Sequence, residues 1–384
     1  MAEFETVNLR AIAKAVGVSH TTVSRALRGE KKVSEQTRQR VWEAAERLGY
    51  RNNPVVQAYA SHIRRIRGGE GPSCNLAWLR SYRGNEGKHF EWQRPLFEGA
   101  VARASELGYH LDTGINALEF TDTQLDRLMD ARGIRGVFLP FNDYVERRPY
   151  QREQFVTVAL GESPDAMPMH TVAPAYFKNT TAAIDHLLAA GYRRIGLCEH
   201  SHGMVLDQGA VCGAYRFHQL RLPEAQHLEP LLGVQVSDVN RRHEAVHREV
   251  FLRWLDRTRP DAILVTFWQA MDWLEHAGIQ VPDELGLAHL GLSPREAGWS
   301  GVAFNDAAIG AAGVDLLTAH IQRNQYGFPH HPQMLRLAGV WQNGWTTRPA
   351  PLADSEHPAS LCHSMEWYTA NVRGFLGTES SWES

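Results

Sequence analysis

Two stretches of this 384-residue chain hold residues whose types and spacing could do chemistry. In His243-Glu244-Ala-Val-His247 the imidazoles stand four residues apart. A helix would put them on one face, where they could bind zinc with Glu244 as general base. That chemistry needs a third ligand. Glu249, Asp256 and Asp261 follow without the required spacing, and the stretch runs on into Val250-Phe251-Leu252 as an ordinary surface helix would. The second stretch is Gly17-Val-Ser-His-Thr-Thr-Val-Ser-Arg-Ala-Leu27. Read as a turn and a short helix, it points Val23, Ala26 and Leu27 inward. His20, Thr21, Thr22, Ser24 and Arg25 are left outside, a set of donors and acceptors suited to base edges and phosphates.

The elements that would position this polar set are legible around it. Asn8 can cap a first helix, whose inner face is Leu9, Ile12, Ala13 and Val16. Gly17 can supply the positive φ that ends it, and Ser19 caps the second helix. A third helix opens at Ser34 and turns Val41, Ala44, Ala45 and Leu48 inward before Gly49. Three short helices around a small core, the second one polar outside, make a helix-turn-helix head. Charge agrees. Residues 1–68 carry 13 Lys+Arg against 6 Asp+Glu, a balance of +7, and the remainder carries 27 against 37, or −10. A basic head on an acidic body points to a polyanionic partner for the head.

The run LRAIAKAVGVSHTTVSRALRGEKKVSEQTRQRVWEAAERLGYRNNP resembles the DNA-binding head of the lactose-repressor (LacI/GalR) family of transcriptional regulators. The shared pattern is A-x-x-x-G-V-S-x-x-T-V-S-R, followed by V-S-x-x-T-R-x-R-V and L-G-Y. The resemblance implies that His20 and Thr21 occupy the main specificity positions and that Arg25 reads guanine. It implies phosphate contacts for Ser19, Thr22, Ser24, Ser34 and Thr37, with Asn8, Arg28 and Asn53 also at the interface. It implies a homodimer on a near-palindromic double-stranded operator. Asn53-Pro54 opens a short hinge helix, which in the family prises open the minor groove with a leucine. Tyr59 stands at that position here.

Beyond residue 72, apolar runs alternate with helical stretches: CNLAWLRS, PLFEGAVARASELGY, GVFLPF, FVTVAL, TAAIDHLLAAGY, RIGLCE, FLRWLDRTRP, AILVTF and LGLAHLGL. The alternation predicts parallel sheets covered by helices. HLLAAGYRRIGL and RPDAILVTF…VPDELGLAHLGL resemble the family's effector-binding body, a periplasmic-binding-protein-like α/β fold of two lobes with the effector between them. The resemblance covers about 340 residues, from 8 to 347. Ligands of such sheets bind beyond the strand carboxyl ends, where this chain offers Arg80, Tyr82, Asn142, His200, His202, Trp268, Gln269 and Asp306. The family's sugar-hydroxyl clamps are largely replaced: Ala175-Tyr176 stands for an Asp-Asn pair, Val211 for an arginine, and Thr266-Phe267-Trp268 for Ala-Asn-Asp. A small-molecule effector, a sugar or derivative among the candidates, is the expected partner.

The expected organisation is a head over 1–51, a hinge and linker over 52–71, a body over 72–347 and a tail over 348–384. Lobe one takes about 72–172 and 302–325, and lobe two about 175–300 and 330–347. The tail has no leucine heptads and is expected to be disordered, with Met365, Trp367, Tyr368, Val372 and Phe375 as the residues that could pack on the body. No apolar run approaches the ~20 residues of a membrane span, and the first residues have no export-signal pattern, so a cytoplasmic, nucleoid-associated protein is expected. Cys74, Cys198, Cys212 and Cys362 lack metal or redox spacing, His200-Ser-His202 and His330-His331 have no partner cluster, and there is no nucleophile elbow, P-loop or dinucleotide fingerprint. The expectation is a non-enzymatic regulator without cofactor or metal. A metal-dependent hydrolase resting on His243, Glu244 and His247 is the alternative.

Overall fold

The computed structural model describes residues 9–27, 33–48, 75–80, 93–140, 152–161, 168–236, 241–293 and 296–349. The hinge with Asn53 and Tyr59, and the tail from residue 350, lie outside the described residues, as do Asn8, Arg28, Tyr82 and Asn142. The head contains α1 (Leu9–Val16), α2 (His20–Leu27) and α3 (Glu35–Arg47). Ile12, Val16, Val23, Ala26, Val33, Val41, Ala44 and Ala45 form one buried cluster, with Ala13, Val18 and Leu48 partly buried against it. The helical periodicity of the sequence is thus realised as a core. Gly17 takes a φ of 73°. Its amide and that of Val18 both donate to the Ala13 carbonyl, at 2.9 and 3.1 Å, which ends α1 in a tight turn. The Arg40 guanidinium donates to the Val16 carbonyl at 2.8 Å and ties that turn to α3.

The body runs β1 (Asn75–Arg80), α4 (Arg94–Glu106), β2 (His110–Asn116), α5 (Asp122–Ala131), β3 (Ile134–Pro140), β4 (Val156–Leu160), β5 (His170–Pro174), α6 (Tyr176–Ala189), β6 (Ile195–His200), α7 (Ser201–Leu206), α8 (Ala210–Gln219), β7 (Leu231–Val234), α9 (Arg241–Thr258), β8 (Ala262–Val265), α10 (Gln269–His276), β9 (Gly286–Leu292), β10 (Gly301–Ala303), α11 (Asp306–Gln322), β11 (Met334–Leu337) and β12 (Val340–Gln342). The chain divides into Met1–Ala173 with Asp306–Leu335, and Pro174–Asn305 with Arg336–Ser384.

The first unit holds a sheet of order β2-β1-β3-β4-β5-β11, and the second a sheet of order β7-β6-β8-β9-β10-β12. Their first five strands follow the same order. Pairing is parallel from β2 through β5 and from β7 through β10, and β12 alone of the registered pairs runs antiparallel, against β10. Strands β3, β4, β6 and β8 are almost wholly buried, as helices on both faces require, and their sequences are correspondingly mostly apolar, with Arg135, Thr157, Glu199 and His200 the polar exceptions. The division between units falls between Asn305 and Asp306 and between Leu335 and Arg336. The sequence reading put 302–305 with the first lobe and 330–335 with the second. The pairing of β10 with β9 draws the former into the second sheet, and the bond from the Thr171 amide to the Gln333 carbonyl draws the latter onto β5.

Candidate functional site

At the head, α2 is built to present a face. The Ser19 hydroxyl accepts from the Thr22 amide at 3.0 Å, and the two hydroxyls lie 2.8 Å apart. Serine accepts an N–H that the helix start leaves without a partner. Ser34 does the same for α3, accepting from the Thr37 amide at 3.3 Å with the hydroxyls 2.9 Å apart. Both serines are exposed, Thr22 and Thr37 are half-buried, and Arg25 is exposed while Val23 and Ala26 are buried beneath. The structure therefore brings Ser19, Thr22 and Arg25 to one capped helix. His20, Thr21 and Ser24 lie on α2 too, but their side chains fall outside the description.

Within each sheet the order in which strands are added changes sides once: β2 and β3 flank β1, and β7 and β8 flank β6. These switch points lie between β1 and β3 and between β6 and β8, and ligands of such sheets bind beyond the carboxyl ends there. In the first unit, Arg80 ends β1. Asp306 opens α11 in the same unit, and burial pushes its carboxyl up to about 6. In the second unit, His200 ends β6, and its ring nitrogen Nδ1 lies 2.7 Å from the Thr266 hydroxyl just past β8. The His200 amide donates to the same hydroxyl at 3.1 Å. Trp268 precedes α10 and is half-buried. Gln269 opens α10, 7% exposed, and its side-chain oxygen has no partner among the described residues. His202 lies on α7 with its side chain outside the description. Each unit taken by itself, the second has His200 at the end of β6 and Trp268 and Gln269 just past the neighbouring β8, and the first has Arg80 at the end of β1 and Asp306 at the start of α11.

Three polar groups at this edge escaped the sequence reading. Thr266 joins His200 across 66 residues, and no local signal announces it. Glu199 is fully buried on β6, beside Asp207, whose carboxylate accepts from the Gly209 and Val211 amides at 2.8 Å each and so holds the start of α8. Burial first, and then the charge of Asp207, raise the Glu199 carboxyl well above its ordinary range. A glutamate inside the apolar run Ile195-Gly-Leu-Cys-Glu199 was the available signal.

The metal reading finds no support in the geometry. Residues 241–258 form one continuous helix, α9. The Glu244 carboxylate accepts from the Trp273 indole at 3.4 Å, His247 is half-buried, and the His243 side chain lies outside the description. Among the described residues no group of three or more His, Cys, Asp or Glu is placed to hold a metal ion, and no described helix is long and apolar enough to cross a membrane.

Comparison with known proteins follows the same division. Residues 8–53 match the bacterial regulatory proteins of the lacI family, and residues 184–337 match a periplasmic binding protein-like domain. The transcriptional regulator AglR of Rhizobium meliloti is 31% identical over 135 residues, 35% of this chain and 35% of that protein. RafR of Escherichia coli is 28% identical over 237 residues, 58% of this chain and 65% of that protein. The match thus spans between about a third and just under two-thirds of these relatives' length. Among solved structures, a complex of the transcriptional regulator CelR with cellobiose has a TM-score of 0.51 at 18% identity, over 88% of this chain and 99% of the other. The lac repressor dimer bound to operator and the anti-inducer ONPF has a TM-score of 0.51 at 18% identity, over 89% and 99%. At that identity the likeness is one of fold.

Proposed function

We propose that this chain, which belongs to the lacI family of bacterial regulatory proteins, is a cytoplasmic, sequence-specific DNA-binding transcriptional repressor. It acts as a homodimer on a near-palindromic operator. The observation that carries the reading is the head itself: α2 is capped by Ser19, anchored by buried Val23 and Ala26, and exposes Arg25. A helix of this kind enters the major groove, and two-fold symmetry of the protein sets two half-sites. His20, Thr21 and Arg25 read bases. Ser19, Thr22, Ser24, Ser34 and Thr37 contact phosphates, and the hinge around Asn53 and Tyr59 engages the operator centre. Binding, and not catalysis, is the activity.

The body supplies control. A small-molecule effector binds at the carboxyl edge of a sheet, where the candidate contacts are Arg80 and Asp306 in the first unit and His200, Trp268 and Gln269 in the second, and its binding shifts the population between DNA-competent and released states. The likeness to the CelR–cellobiose complex favours a carbohydrate or a derivative of one. The test is selection of bound sequences from a randomised double-stranded DNA pool at ~150 mM salt, where non-specific phosphate binding is weakened. An enriched palindrome is the expected result. A pool that stays random, with and without added oligosaccharides, would overturn the reading.

A further inference from the structure

His170 at the foot of β5 and His320 near the end of α11 are both buried, 5% and 3% exposed, and their rings stack with centroids 3.9 Å apart. The His170 Nδ1 accepts from the backbone amide of Gln333 at 3.1 Å. One residue on, the Thr171 amide donates to the Gln333 carbonyl at 2.9 Å. The imidazole is therefore part of the ladder that joins β5 to the start of β11. These are the strands by which the chain leaves the first unit, at Ala173 and at Leu335.

The two rings answer to a proton differently. His320 lies between the side-chain amides of Gln325, at 2.8 Å from Nδ1, and Gln333, at 3.3 Å from Nε2. An amide side chain can present oxygen or N–H, so this surrounding suits a neutral or a charged ring. His170 has no such freedom, because a backbone N–H cannot become an acceptor. A proton on its Nδ1 breaks the bond to Gln333 and sets a charge against the stacked ring. From these contacts we infer that the His170–His320 stack is an acid-sensitive clasp on the feet of β5 and β11, closed when His170 is neutral and released when it takes a proton.

The surroundings favour the closed form at neutral pH. On the neighbouring strand β4 the partner of His170 is the apolar Val158. From α11 the facing group is His320, and from the β11 side it is the neutral amide of Gln333. Burial first, and the charge of His320 second, push His170 down from 6.5 to about 4. A histidine lowered in this way gives stability that is complete above about pH 6.5 and is lost as pH falls toward about 4. Loosening the exit strands would tie the response to effector to acidity, a consequence that rests on the regulator reading, whereas the clasp does not.

Hydrogen exchange on the full chain tests the clasp through peptides covering 168–174 and 333–337, with β8 in the other sheet as internal reference. Between about pH 7.5 and about pH 5, protection corrected for intrinsic exchange should fall about 30-fold at the clasp beyond any fall in β8, the ratio expected from values of 6.5 and about 4. In His170→Asn, whose side-chain oxygen can still accept from Gln333 but cannot take a proton, that excess should vanish. An equal fall at the clasp and β8 in the unaltered chain would overturn the proposal. So would an undiminished excess in His170→Asn.

Discussion

At the scale of single residues, the head depends on hydroxyls that do two jobs. Ser19 caps α2 through the Thr22 amide, so Ser19→Ala should cost about 1 kcal/mol of head stability, seen as a lower melting midpoint of the head. Arg25 is exposed on α2 without any part in the buried cluster. Arg25→Ala should cost about 1–3 kcal/mol on the selected operator and relax its sequence preference. Thr22→Ala should weaken operator and random DNA alike, and equal losses for both variants on both DNAs would remove the assignment. In the body, burial makes the Asp306 carboxyl hard to ionise. A raised carboxylate contributes stability at low pH that is lost as pH climbs through about 6. Asp306→Asn should therefore raise stability at pH 7.5 by on the order of 1 kcal/mol, seen as a higher melting midpoint, and the gain should disappear on acidification below the unfolded carboxyl range. Residue chemistry was only partly legible in the sequence. The caps and the head core announce themselves through spacing, because a helix start and a helical face are local facts. The bond between His200 and Thr266 arises from β6 and β8 brought side by side, and the acid pair of Glu199 and Asp207 from the short helix α7 that turns the chain back onto β6.

At the scale of elements, α4 and α11 lie closer than most helix pairs. A side-chain carbon on Gly99 would come within 2.0 Å of the Ala307 carbonyl oxygen, and one on Gly310 within 1.9 Å of that of Leu96. Both obstacles are backbone, which cannot rotate away. Gly310→Ala should thus destabilise the first unit by at least about 1–3 kcal/mol, measured by chemical denaturation, although alanine is the better helix former. If the variant melts at or above the parent, the helices do not pack this way. The nine body runs read from sequence all appear as elements: β1, α4, β3, β4, α6, β6, α9, β8 and β9. The missed strands are of another kind. β2 alternates with exposed positions, β7 has four residues, β10 has three, and β11 and β12 are short and largely exposed. β2, β7, β11 and β12 are edge strands, which lack the continuous apolar run that marks a strand covered on both faces; β10 is interior but only three residues long, and β5, though buried, opens on His170 and closes on Pro174.

At the scale of the whole molecule, head and body hold separate cores. The head's buried cluster draws only on residues 12–48, and those of the body draw on residues from 77 onward. A chain beginning at residue 72 should therefore keep the body's cooperative thermal transition and lose operator binding altogether, as circular dichroism and a gel-shift assay would read. Loss of the body's transition on that deletion would show that the two fold as one. The two-lobed architecture was legible from alternation and resemblance. The first crossing, between Ala173 and Pro174, falls where the sequence puts it, but the two later ones do not, because they are set by β10 and β11, two of the shortest strands. That winding has a genetic consequence. Each sheet takes one edge strand from the last part of the chain, β11 in the first and β12 in the second. A premature stop codon near position 330 would strip a strand from both sheets at once, so late nonsense alleles should be as null for regulation as early ones.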